Sequence, residues 1–106
     1  KIDSLTVLLD CNRQQLDGWT NDILNTDPLA VKWRAFGWHV IEIDGHDFDA
    51  ILSALDEAKT VAGKPTLILA NTVKGKGVSF MENNIEFHGM APNPEQLQKA
   101  LLEIAA

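Results

Sequence analysis

One cysteine, few basic residues and no long apolar run set the first limits on this 106-residue chain. A lone Cys11 excludes an internal disulfide and any multi-cysteine metal site. A nucleophilic thiol needs an activating base, and His39, His46 and His88 are all remote from Cys11 in sequence, so it reads as a small packing residue. Nine Lys and Arg stand against fifteen Asp and Glu, for a formal net charge of -6. Binding to phosphate backbones needs clustered cations, and Lys74 and Lys76 are the sole close basic pair of note, so nucleic acid is excluded as the main partner. No stretch approaches the roughly 18 apolar residues of a membrane span, and no signal-peptide pattern opens the chain. The expectation is a soluble, cytoplasmic protein with no membrane partner. Repeats and low-complexity segments are also missing.

What remains suits a single α/β domain, since 45% hydrophobic residues can supply a core at this length. Leu5 to Asp10 is a short apolar run with a β-branched centre, consistent with a buried strand. Asn12 to Asp27 is polar and reads as a loop interrupted by turns, anchored by Trp19, Ile23 and Leu24. Asp27 as cap and Pro28 in a first turn predict a short helix with Leu29, Val31, Trp33 and Phe36 apolar, ended by Gly37. Trp38 to Ile43 reads as a second strand running into an Asp44-Gly45 turn.

From Asp47 to Ala62, Phe48, Ile51, Leu52, Leu55 and Ala58 recur at helical spacing, with Gly63 as the stop. Thr66 to Asn71 has the unbroken apolar centre of a strand buried on both faces. Strand, helix and strand in this order predict right-handed parallel crossovers. Thr72 to Asn93 is a long loop without a period, and loops of that length are functional or disordered as a rule. Pro94 to Ala105 returns to helix, with Leu97, Leu101, Leu102 and Ile104 as its buried set.

Chemistry concentrates in two segments. The first, Asp10-Cys11-Asn12-Arg13-Gln14-Gln15-Leu16-Asp17-Gly18, follows a strand end, where open parallel sheets bind ligands, and its oxygens suit a hard divalent cation. The second runs Thr72-Val73-Lys74-Gly75-Lys76-Gly77-Val78-Ser79-Phe80-Met81-Glu82 and continues to Phe87-His88-Gly89. Lys74-Gly75-Lys76-Gly77 lacks the spacing of a P-loop. A loop Asn is more often a turn residue bonding its own backbone than a ligand, so Asn12 alone would be read that way.

Together, and with Phe36-Gly37-Trp38 and Asp44-Gly45-His46-Asp47 between them, the segments resemble the thiamine-diphosphate domain of transketolase. The resemblance runs from about Leu5 through Pro92 and extends to the separate amino-terminal subunit of two-subunit bacterial transketolases. It implies a parallel sheet with flanking helices, the carboxyl-terminal half of a thiamine-diphosphate-binding domain. The family's upstream Gly-Asp-Gly turn, which supplies a metal carboxylate, does not occur here, and neither does a His-bearing Gly-rich turn further upstream. Residues 1–106 are therefore expected to be a partial domain; a cleaved product, a split gene or a truncated chain would each account for it.

By the same resemblance the side chain of Asn12 and the main-chain carbonyl of Gln14 are Mg²⁺ ligands, with Ca²⁺ able to replace it, and the Gln14 side chain matters little. His88 is implied as a catalytic and cofactor-binding residue near the diphosphate. Asp10 is implied as a buried structural acid, His46 as a turn residue and His39 as a packing histidine. The implied activity is transfer of a two-carbon ketol unit between sugar phosphates with thiamine diphosphate. The implied partner is a companion chain carrying the missing half and the pyrimidine-binding domain, in an oligomer. Two alternatives stay open: a deoxyxylulose-phosphate synthase-like enzyme, and a non-catalytic remnant or partner subunit of this fold.

Overall fold

The computed structural model describes residues 2–105. It resolves into two compact units, one made of the chain up to Cys11 together with Asn25–Thr72, the other of Asn12–Leu24 together with the chain from Val73 onward.

The first unit is a three-stranded parallel sheet with helices. Its strands are β1 (Thr6–Cys11), β4 (His39–Asp44) and β5 (Thr66–Asn71), in the order β1-β5-β4. β5 takes the centre because Thr66 to Leu69 are buried, a run apolar enough to be covered from both sides. Its alternate residues face opposite layers. Leu67 and Leu69 pack with Cys11 and with Leu29, Ala30 and Trp33 of helix α2 (Leu29–Ala35), while Ile68 packs with Ala54 and Ala58 of helix α3 (Phe48–Thr60). Trp33 and Trp38 meet edge to face, ring centroids 4.7 Å apart at 87°, the arrangement that the aromatic quadrupole favours. Register is level across the sheet, so Cys11, Asn71 and Asp44 end the three strands side by side.

Local signals explain the element ends. Asp47 caps α3 by accepting from the amides of Asp49 at 2.9 Å and Ala50 at 3.2 Å. At the turn after β4, a side chain on Gly45 would place its Cβ 2.5 Å from Thr72 Cγ2, so the close approach of the chain requires glycine there.

Several expectations need correction. Asp27 does not hold the cap position of α2: Pro28 does, outside the helix, and makes no side-chain capping bond. Val31 and Phe36 of that segment are exposed, Phe36 by 83%, and Ala30 takes part in the core. On α3, Phe48 and Leu52 are exposed and Ala54 is buried in their stead. Among the described residues three strands bury only the stripe of each helix that lies against them, so helical spacing identifies an apolar face wider than the one these strands cover. Asp10 is exposed at the end of β1, not buried, and accepts a hydrogen bond from the Thr72 hydroxyl.

The second unit holds a small hairpin of β2 (Gln14–Gln15) and β3 (Gly18–Trp19), the one-turn helix α1 (Thr20–Ile23), a 3-10 turn at Ile85–Phe87 and helix α4 (Pro94–Ile104). The hairpin stands where a plain loop was expected. Trp19, Ile23 and Leu24 do not anchor it, since all three are exposed. α4 starts as expected, with a reciprocal box between Asn93 and Gln96. Its buried residue is Ala100, whereas Leu97, Leu101, Leu102 and Ile104 are exposed, Leu102 by 74%. Among the described residues no helix is long and apolar enough to cross a membrane.

Candidate functional site

Asn12, Gln14 and His88 all belong to the second unit. Asn12 follows directly on the last residue of β1 and turns the chain into the hairpin. Its Oδ1 accepts the amide of Gln14 at 2.9 Å, an Asx turn that holds the next residues in place. Arg13, between them, takes a left-handed φ of 63°, and its carbonyl accepts the Thr20 amide at 2.9 Å. One lone pair of the Asn12 oxygen is thus used within the turn, and a carbonyl oxygen has a second. Both the turn role and a ligand role are open to the same atom.

The Gln14 side chain does more than the sequence suggested. Its Nε2 donates to the carbonyl of Asn83 at 2.7 Å, across 69 residues of chain. Asn83 in turn donates its amide to the Lys74 carbonyl at 2.9 Å. Lys74 Nζ lies 2.9 Å from His88 Nδ1. An ammonium group has donors and no acceptor, so Nδ1 is the acceptor here and a neutral His88 carries its proton on Nε2, which is left as a donor. Hydrogen bonds therefore lead from the Asn12 turn to the His88 ring through Gln14, Asn83 and Lys74.

Asn83 is the residue that sequence reasoning missed in this network, whereas Lys74 reads by resemblance as part of a loop that shapes the site, without its bond to His88. Asn83 stands at φ 57°, a conformation asparagine tolerates better than other residues with a Cβ, and the Asn83-Asn84 pair between two Gly-containing segments was the available signal. The Gly-rich stretch itself is a folded turn. Gly75 has φ 78°, and a Cβ there would lie 2.5 Å from the Met81 carbonyl oxygen. Gly77 gives its amide to Glu82 Oε1 at 3.0 Å. Phe80 and Phe87 meet with tilted rings, centroids 5.5 Å apart.

Ser79 ties the segment to α4. The Glu103 carboxylate accepts from the Ser79 amide at 2.5 Å and from its hydroxyl at 2.8 Å. The Ser79 backbone bond above all, then the Ser79 hydroxyl and the Lys99 ammonium, hold the Glu103 carboxyl below its ordinary value of 4.5. A carboxyl whose folded-state value is depressed stabilises fully above its unfolded value and loses that contribution as pH falls through the folded one. The Ser79 amide resonance is accordingly expected to keep its hydrogen-bonded position as pH is lowered past 4.5 and to lose it in stronger acid. Glu103→Gln should remove that acid step, and an identical profile in the variant would show that another group controls it.

The remaining histidines lie elsewhere. His39, on β4, is bonded through Nε2 to Glu57 at 2.6 Å, and the amide of His46 donates to Asp44 Oδ1 at 2.9 Å in the turn after β4. A cleft of about 230 Å³ in the first unit lies between the sheet and α3, lined by Leu8, Ile43, Ile51, Leu55 and Ile68 among others. Its lining is carbon except near Asp10 and Thr72, which bond each other, so it has no set of polar groups to fix a charged ligand. Among the described residues no three His, Cys, Asp or Glu side chains could hold a metal together. Two further polar atoms in the Asn12 turn, Gln14 Oε1 and Gln15 Nε2, are buried without a partner.

Comparison with known proteins bears on this arrangement. Residues 1–103 match the family model described as transketolase, thiamine diphosphate binding domain. The chain is 47% identical over 104 residues to the 6-deoxy-6-sulfo-D-fructose transketolase subunit SqwG of Clostridium sp. (strain MSTE9), covering 98% of this chain and 38% of that protein. It is 42% identical over 104 residues to an apulose-4-phosphate transketolase subunit of Actinobacillus succinogenes, covering 98% and 37%. The chain thus spans well under half the length of these relatives. Among solved structures, transketolase from Campylobacter jejuni superposes with a TM-score of 0.88 at 30% identity, over 99% of this chain and 16% of that one.

Proposed function

The chain belongs to the transketolase family, matching its thiamine diphosphate-binding domain, and we propose that it forms part of an enzyme that transfers a two-carbon ketol unit between sugar phosphates. The observation that carries this reading is the hydrogen-bonded path from the Asn12 turn to His88 within one compact unit. It gathers the residues that the resemblance assigns to the diphosphate and its metal.

The donor set fits part of a Mg²⁺ site. Mg²⁺ takes near-octahedral oxygen ligands, keeps several waters, and is held by one or two protein groups together with substrate phosphates. Asn12 Oδ1 and the Gln14 carbonyl are neutral oxygens of this kind, which suits a place beside a highly charged diphosphate; Ca²⁺ would accept the same donors. The carboxylate that completes the set is assigned to the family's Gly-Asp-Gly turn, outside these 106 residues, and the pyrimidine-binding domain to a companion subunit. The cofactor, when bound, supplies the carbanion-stabilising chemistry. This chain's residues would bind and orient: Asn12 and Gln14 would hold the metal, and His88 Nε2 would donate a proton or a hydrogen bond near the diphosphate.

Among the described residues β1 and β4 are both outer strands, and outer strands present unpaired amides and carbonyls to further strands. Relatives are named as subunits, and their names give one sulfonated and one phosphorylated sugar, so an anionic ketose is the substrate class assigned here. Calorimetric titration of thiamine diphosphate into the chain mixed with its companion tests the reading. Binding should require Mg²⁺ and should vanish with chelator; no heat in either condition would sink it.

A further inference from the structure

We propose that Gln14 is a positioning residue, its side chain tying the metal-side turn at Asn12 to the segment that aims His88. The inference rests on the functional reading above for what the two ends do, but its own content is the link between them. Gln14 is held at both levels: its amide is bonded by Asn12 Oδ1 at 2.9 Å, and its side-chain Nε2 reaches the Asn83 carbonyl at 2.7 Å. The acceptor is itself fixed, because Asn83 gives its amide to the Lys74 carbonyl at 2.9 Å. Lys74 then sets the ring through Nδ1. A displacement at the Asn12 turn is passed along short bonds to the one histidine of this unit.

Packing does not explain the carboxamide. Only Nε2 can face a carbonyl, since the flipped amide would set two oxygens against each other. That orientation leaves Oε1 buried without a partner. A leucine or methionine would fill the place with no orphaned oxygen, so the amide is retained at a cost, and the bond to Asn83 is what the chain gains from it. Such supporting bonds matter at metal sites, where ligand orientation is set by the groups behind the ligands.

The test reads the His88 ring by nitrogen-15 NMR on the full protein assembled with its companion, at one fixed pH, with no cofactor. In the unaltered protein the two ring nitrogens should be well separated, Nδ1 as acceptor and Nε2 as N–H. Lys74→Met should bring them toward the average of two tautomers, which calibrates the signal. Gln14→Met and Gln14→Leu, each keeping the bulk without the donor, should move them in the same direction while the amide signals of β5 stay in place. Separated His88 signals in both variants would overturn the proposal. So would loss of the β5 signals together with those of His88, which would make Gln14 a folding residue. Because no cofactor is present, failure of thiamine diphosphate to bind would count against the functional reading and leave this result to stand separately.

Discussion

Asn12→Ala is expected to weaken Mg²⁺-dependent binding of thiamine diphosphate by about 100-fold, the upper end of what loss of a supporting group at a metal site costs. Two losses combine. The variant lacks the neutral oxygen assigned to the metal, and it lacks the acceptor that holds the Gln14 amide at 2.9 Å, so the Gln14 carbonyl is no longer presented at a fixed angle. Asn12→Asp separates them. An aspartate accepts the same amide bond and keeps the turn, yet adds a negative charge beside the diphosphate. If Asn12 also ligates the metal beside the diphosphate, the added charge should leave Asp between Ala and the unaltered protein, since a carboxylate is still a hard oxygen ligand but repels the diphosphate. If Asn12 serves the turn alone, the Asp variant should match the unaltered protein. Calorimetry of all three proteins, with the companion present, decides it, and unchanged affinity in the Ala variant would remove Asn12 from the metal site.

The parts of this fold that were legible in the sequence are those where a local signal and a tertiary partner agree. Thr66 to Asn71 reads as a doubly covered strand and is the central one, because an unbroken apolar run can be satisfied only with layers on both sides. Helical spacing after Asp47 and Pro94 in a first turn marked two helices from local signals alone, and the caps at Asp47 and Asn93 are what the structure adds. Burial was less legible. Leu97, Leu101, Leu102 and Ile104 carry helical spacing and are nonetheless exposed, since periodicity tells which side of a helix is apolar and says nothing of what lies opposite. The same holds for Phe48 and Leu52 on α3.

The candidate site divides in the same way. Asn12 and His88 stand out by residue type in Gly-flanked loops, whereas the Gln14 side chain does not, because its partner is a main-chain carbonyl 69 residues away. Any residue can offer a carbonyl, so no pattern of letters marks Asn83 as the acceptor. Only its left-handed backbone leaves a trace in the sequence, through the choice of asparagine.

His88→Ala is expected to lower turnover of the complete enzyme by about 100-fold, the lower end of what a positioned acid or base contributes. The argument turns on which nitrogen acts. Lys74 occupies Nδ1 at 2.9 Å, so the ring would work through Nε2, either as a fixed hydrogen-bond donor or as a group that gives up and regains its proton. His88→Gln tells these apart, because a glutamine amide N–H can reach a similar position but does not exchange its proton at any useful rate near neutral pH. Recovery of most activity in the Gln variant would assign His88 to holding a charged oxygen. Activity as low as that of the Ala variant would assign it to proton transfer, and full activity in the Ala variant would remove it from the site. His88 is exposed in this chain taken by itself. In water a single donor of this kind is worth little, and its contribution grows when cofactor and companion exclude solvent around it. Steady-state kinetics of both variants should therefore be run on the assembled enzyme, where a 100-fold fall corresponds to about 2.7 kcal/mol of lost transition-state stabilisation.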